Sequence, residues 1–159
     1  MEATKKTNKN PKNISEHISY REAIKSNHAK RNDIKNVPTK EQIKNMVELA
    51  KEVFEPLRKW VGEPIKINSM FRSKELNSSL GGSFTSSHLD GKAFDITNMG
   101  GKTNKEIFDW VRENLDYDQI IWEYGKFEPH WVHISFNKGK NRKQALITRK
   151  KGLYTFYTE

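Results

Sequence analysis

At 159 residues the chain is long enough for one domain with a real core, and 34% apolar against 31% charged residues make that core modest and the surface well solvated. It has no cysteine, which excludes disulfides and thiolate metal sites, so any metal must be held by nitrogen and oxygen. The net charge of +9 is concentrated at the ends (+6 over residues 1–40, −3 over 41–137, +6 over 138–159), which argues for solvated basic ends rather than the stripe of a nucleic-acid reader.

Residues 1–13 lack the apolar run of a signal peptide and read as a disordered basic arm. The rest, 14–159, reads as a single domain, and no stretch of about 18 apolar residues offers a membrane span. Residues 14–37 carry scattered apolar anchors and predict short helical pieces, ended by Val37-Pro38. A helix is predicted over 39–60. Thr39 and Gln42 form a capping box, and Ile43, Met46, Val47, Ala50, Val53, Phe54 and Leu57 form one apolar face. Pro56 should kink or break its last turn.

The alternation in residues 64–70 predicts a strand. Ser73 caps a short helix over 74–80 that buries Leu76 and Leu80 and stops at Gly81-Gly82. A loop of Ser, Thr and Gly over 83–91 carries His88. The strand that follows puts Phe94 and Ile96 on the core face and Asp95 on the other. Thr103 with Glu106 marks a second capped helix, with Ile107, Phe108, Trp110, Val111 and Leu115 toward the core. Residues 118–124 and 130–136 predict two strands. In the second, Val132, Ile134 and Phe136 point one way while Trp131, His133 and Ser135 point the other. Residues 144–158 predict a hairpin.

Asp95 and His133 therefore emerge from one sheet face, and His88 precedes them on a loop. Two imidazoles and a carboxylate make a three-ligand site with an open fourth position, as a catalytic zinc requires. Each residue alone is as readily an ordinary polar side chain, and His17 and His28, in poorly patterned sequence, are read as such. His130 and His133 are three apart, so a regular strand cannot point both inward.

The run Met70-Phe71-Arg72-Ser73, the segment Ser86-x-His88-x-x-Gly91-x-Ala93-x-Asp95 and the segment Trp131-Val132-His133-Ile134-Ser135 occur in that order. Together they resemble the zinc D-Ala-D-Ala carboxypeptidase family of metallopeptidases. These are peptidoglycan peptidases often encoded by phages as endolysins, and they share a metal site with the Hedgehog signalling domain. The resemblance covers about residues 14–140. It implies an α+β fold, a small antiparallel sheet carrying a Zn2+ site with helices packed on one side.

It also implies that His88, Asp95 and His133 are the zinc ligands, that Arg72 holds a substrate carboxylate or carbonyl, and that Ser86 bonds within the loop or to substrate. Gly91 supplies a backbone shape that a side chain would block. Many relatives place an acid three residues before the last His ligand, where this chain has His130. The general base is therefore assigned to Glu123, which matches a Glu on the preceding strand of some relatives. His130 polarises the carbonyl or stabilises the oxyanion, and Glu128 is the reserve.

The implied activity is hydrolysis of a peptide bond next to D-Ala in a peptidoglycan stem or cross-link, by carboxypeptidase or endopeptidase action. The enzyme would be made in the cytoplasm and act on the cell wall after release. The implied partners are stem peptides and, through the basic ends, anionic wall polymers, with no specific nucleic acid and a monomeric state. The alternative is a non-catalytic metal-containing binding or virion structural domain of the same fold.

Overall fold

The computed structural model describes residues 9–159. Residues 1–8 of the predicted arm lie outside the described residues. Residues 9–12 are exposed and without regular structure, and Asn13 already begins β1.

The N-terminal region forms a small hairpin, β1 (Asn13–Ser15) and β2 (Ile18–Ser19), then two short helices, α1 (Tyr20–Ala23) and α2 (Asn27–Arg31). Sparse apolar residues hid the hairpin from the pattern, yet Ile14 and Ile18 are both buried in the core. Helix α3 (Lys40–Leu49) starts at Thr39, and the capping box with Gln42 is complete in both directions. It continues as a wider π turn, Ala50–Phe54, and then as α4 (Glu55–Val61), which ends at Gly62 in the left-handed conformation.

Pro56 explains the wider turn. It has no N–H to close an α turn, and its ring would press on the carbonyl four residues earlier. The backbone instead bonds across five residues, from Glu55 N–H to the Ala50 carbonyl. The helix therefore persists through Pro56. Leu49 joins Met46, Ala50, Val53, Phe54 and Leu57 inside, at three- and four-residue steps, while Val47 is exposed.

The main sheet has six strands in the order β3 (Ile65–Ser69), β4 (Ala93–Asn98), β6 (Trp131–Ser135), β5 (Gln119–Glu123), β7 (Gln144–Lys150) and β8 (Leu153–Phe156). It is mixed, whereas the expected sheet was antiparallel: β7 runs parallel to β5. The reason is topological. Strand β6 returns between β4 and β5 and fills the inner edge of β5. The chain then crosses to the outer edge and arrives in the direction of β5.

One face of this sheet presents Phe94, Ile96, Ile120, Trp122, Val132 and Ile134 to the α3–α4 helix and to α6 (Asn104–Asn114), forming one core. Ile107, Phe108 and Val111 of α6 are buried, and Trp110 stacks on Trp60 at 4.8 Å between ring centroids. The Thr103–Glu106 capping box is also complete. Among the described residues no helix is long and apolar enough to cross a membrane.

The other face is reached by the segment between β3 and β4. Helix α5 (Lys74–Ser79) is capped by Ser73 and buries Leu76 and Asn77, whereas Leu80 lies past its end and is exposed. A 3₁₀ turn, Ser87–Asp90, follows and ends at Gly91. Here the turn docks on α3. The Gln42 amide donates to the Leu89 carbonyl at 3.1 Å, and the Asn45 amide to that of Asp90 at 2.8 Å. Gly91 has φ +68°, and a Cβ there would stand 2.5 Å from the Gln42 carbonyl oxygen. Gly91→Ala should therefore cost about 1–3 kcal/mol, read as a lower midpoint of denaturant unfolding. An unchanged midpoint would show that the turn can lift off α3 freely.

Candidate active site

Register builds the site. Asp95 of β4 pairs with Ser69 of β3 on one side and with His133 of β6 on the other. His133 in turn pairs with Ile121 of β5. Directly paired residues share a face, and so do residues two apart along a strand, so Glu123 lies on the face of Asp95 and His133. The 3₁₀ turn brings His88 to the same place. Donor atoms of His88, Asp95 and His133 all lie within 4.8 Å of one another.

Asp95 is the hub. Its Oδ1 lies 2.9 Å from His133 Nδ1, and its Oδ2 lies 3.3 Å from His88 Nε2 and 3.1 Å from Arg72 Nη2. Burial works against its charge, but the two imidazoles outweigh that and hold its carboxyl well below the usual carboxylate range. His88 is buried, and burial pushes its pKa down against the pull of Asp95, so its neutral form is favoured. Its Nδ1 is 2.7 Å from the Met70 carbonyl, which can only accept, so Nδ1 carries the hydrogen.

The Nε2 lone pair of His88 therefore faces a carboxylate oxygen with no hydrogen between them. Two electron-pair donors held this close fit a cation shared between them. The bond from Nδ1 to a backbone carbonyl is also how a ligating imidazole is commonly oriented. The donor set is nitrogen and oxygen, which suits zinc among other divalent ions.

Glu123, at the end of β5, is half-buried. Burial pushes its carboxyl up to about 7, with His133 and Arg72 drawing it down and Asp95 raising it. Arg72 is tied by Nε to Ser69 Oγ at 2.9 Å and by Nη2 to Asp95, which leaves further N–H donors on the guanidinium. Ser86 caps the 3₁₀ turn, its Oγ accepting from the His88 N–H at 3.4 Å.

His130 is not in the cluster. It is exposed, its ring lies 6.4 Å from that of Tyr124, and its N–H donates to the Glu123 carbonyl. Glu128 is engaged elsewhere, its Oε1 accepting from the Asn104 N–H at 2.7 Å, at the start of α6. His17 bonds to Glu55 and His28 to Ser79.

Two asparagines support the site, and sequence reasoning missed both. Asn36 is buried, donates to the Ile24 and Phe71 carbonyls and accepts from the Ser73 N–H, which fixes the chain on either side of Arg72. Asn104 is also buried. It accepts from the Asn98 N–H and donates to the Pro129 and His130 carbonyls, which fixes the entry to β6. The available signal was positional for Asn104, the first residue after a predicted cap, and there was none for Asn36.

No curated protein matches the chain. The family described as peptidase M15 matches residues 16–135, a segment that contains Arg72, Ser86, His88, Asp95, Glu123, His130 and His133. That segment makes up most of the chain: this protein belongs to the peptidase M15 family of metallopeptidases.

Proposed function

We propose that the protein is a zinc-dependent peptidoglycan peptidase of the phage lysin type that cuts a stem or cross-link peptide bond next to D-alanine. The observation that carries this reading is the partly buried cluster of His88, Asp95 and His133, with Glu123 on the same sheet face. His88 through Nε2, Asp95 through a carboxylate oxygen and His133 through Nδ1 would hold the ion. Zinc, when bound, supplies Lewis acidity toward a carbonyl oxygen and toward water.

Glu123 takes the proton of the attacking water and returns it to the leaving amine. A carboxyl with an affinity near neutral pH suits both transfers. Arg72, with one Nη already on Asp95, offers its remaining donors to a substrate carboxylate or carbonyl. His130, exposed at the entry to β6, is assigned to the oxyanion. Ser86 keeps the His88 turn in shape and has its own O–H left to donate. The basic ends hold the enzyme on anionic wall polymers.

Mass spectrometry of purified muropeptides tests the reading directly. The zinc-loaded protein should remove one alanine from pentapeptide stems or convert dimers to monomers, and a chelator should stop it. Glu123→Gln should lower the rate by about 10²–10⁴-fold with zinc retained, and His130→Ala by about 10²-fold. Zinc retained with every muropeptide unchanged would instead favour a metal-holding binding domain.

The pH dependence follows from Glu123. A carboxyl raised to about 7 is protonated below that pH and cannot accept a proton. A bound dication would draw the value down. The kcat/KM should therefore rise with pH along an acid limb at or below pH 7, and Glu123→Gln should remove that limb. A limb that survives the substitution assigns the base elsewhere.

Wall attachment has its own readout. Added salt should reduce lysis of whole walls while hydrolysis of soluble muropeptides is unchanged. Equal loss of both would remove the attachment.

A further inference from the structure

The site face does not stop at the metal-binding cluster. Asp95, His133 and Ile121 form one row across β4, β6 and β5, and the row continues through Leu146 of β7 to Phe156 of β8. In the neighbouring row Glu123 pairs with Thr148 of β7. Tyr154, two residues from Phe156 and one beyond the Ile147–Thr155 pair, flanks Thr148 on this same face.

The opposite alternates confirm the facing. Tyr157 packs against Phe108 and Trp122 in the core, with ring centroids 4.9 and 6.1 Å away, and Ala145 and Ile147 lie on the core side. Tyr154 and Phe156 are thus turned toward the catalytic face, and they are 52% and 70% exposed.

These residues belong to the last strand, beyond the segment 16–135 that the family match spans. Core packing does not account for them, since β8 is exposed along its whole length. The Thr148 hydroxyl is spent within the hairpin, on the Lys150 carbonyl at 2.8 Å. Among the described residues the Tyr154 hydroxyl has no hydrogen-bond partner. Burial, with the negative charges of Glu123 and Asp95, raises its pKa, so it keeps its proton as a donor at neutral pH.

We propose that the C-terminal hairpin is the specificity wall of this active site. Tyr154 donates a hydrogen bond to an oxygen of the substrate peptide near the scissile bond, and Phe156 carries the apolar side chain of a neighbouring substrate residue. The inference rests on the peptidase reading above and adds where the substrate lies: along the row that leads from the metal-binding cluster to β8. Tyr154 is a substrate-positioning residue and takes no part in proton transfer.

The test uses the zinc-loaded full chain with muropeptide pentapeptide monomers as the probe. Tyr154→Phe removes one hydroxyl and should lower kcat/KM about three- to tenfold, mostly through KM, with the same melting temperature and zinc content. Phe156→Ala should reduce the preference between stems that differ in the apolar residue beside the cut. Wild-type hydrolysis matched by both variants would overturn the wall and leave the peptidase reading standing. If the wild type cuts nothing, the peptidase reading fails, and calorimetric binding of the same pentapeptide then decides. Weaker binding by the variants supports the wall, and equal or absent binding overturns it. A melting temperature lowered together with activity in Tyr154→Phe would mark a structural residue and overturn the role given to it.

Discussion

The structure depends on the pairing of β4 with β6. Phe94 and Ile96 lie opposite Ile134 and Val132, all four fully buried, and this apolar match fixes the register. Because strand side chains alternate with a period of two, the same register sets Asp95 against His133 on the other face. A slip of one residue would bury the carboxylate in the core and expose the phenylalanine. The hydrophobic effect on one side of the sheet thereby holds the geometry of the Asp95–His133 pair on the other.

Irregular backbone has to complete what the strands begin. His88 and Arg72 both come from the β3–β4 segment, and neither is fixed by sheet pairing. Buried or half-buried amides hold that segment: Gln42 and Asn45 from α3 grip the turn after His88, and Asn36 brackets Arg72. Each amide satisfies main-chain groups that would otherwise lose their hydrogen bonds on leaving water. The capped helix that fills the core is thus also the support of the site, and Gly91 sits where the two meet.

The elements that were legible in the sequence are those that obey a local rule. Both capping boxes, the short helix after Ser73, the alternation of β4 and β6 and the C-terminal hairpin follow from residue type and spacing. So does the shared face of Asp95 and His133, and the motif order added His88. What was not legible needs partners distant in the chain. The β1–β2 hairpin has too few apolar residues to show a period. The π turn answers a proline whose expected effect was a kink or a break. The parallel pairing of β5 with β7 comes from the order in which strands find free edges, which no local pattern encodes. Asn36 carries no signal in its own neighbourhood, and Asn104 only its place after a predicted cap, because an amide that clamps a distant loop looks in sequence like any surface asparagine. Glu128 is the same residue type as Glu123, and only the fold separates them: Glu123 lies on the sheet face of Asp95 and His133, while Glu128 is exposed and bonded to the Asn104 N–H.

The last strand also has a consequence for the protein as a solute. Among the described residues strand β8 lies at the edge of the sheet, where one row of main-chain donors and acceptors has no neighbouring strand, and it exposes Leu153, Tyr154 and Phe156. An open edge with apolar side chains is a template for another copy of the same edge. Here Arg149, Lys150 and Lys151 sit at the approach to the strand, and the whole chain carries +9. Like charges keep two such edges apart at low ionic strength, and salt screens them within about 8–10 Å at physiological levels. The basic surplus thus opposes edge-to-edge pairing of β8 by charge repulsion.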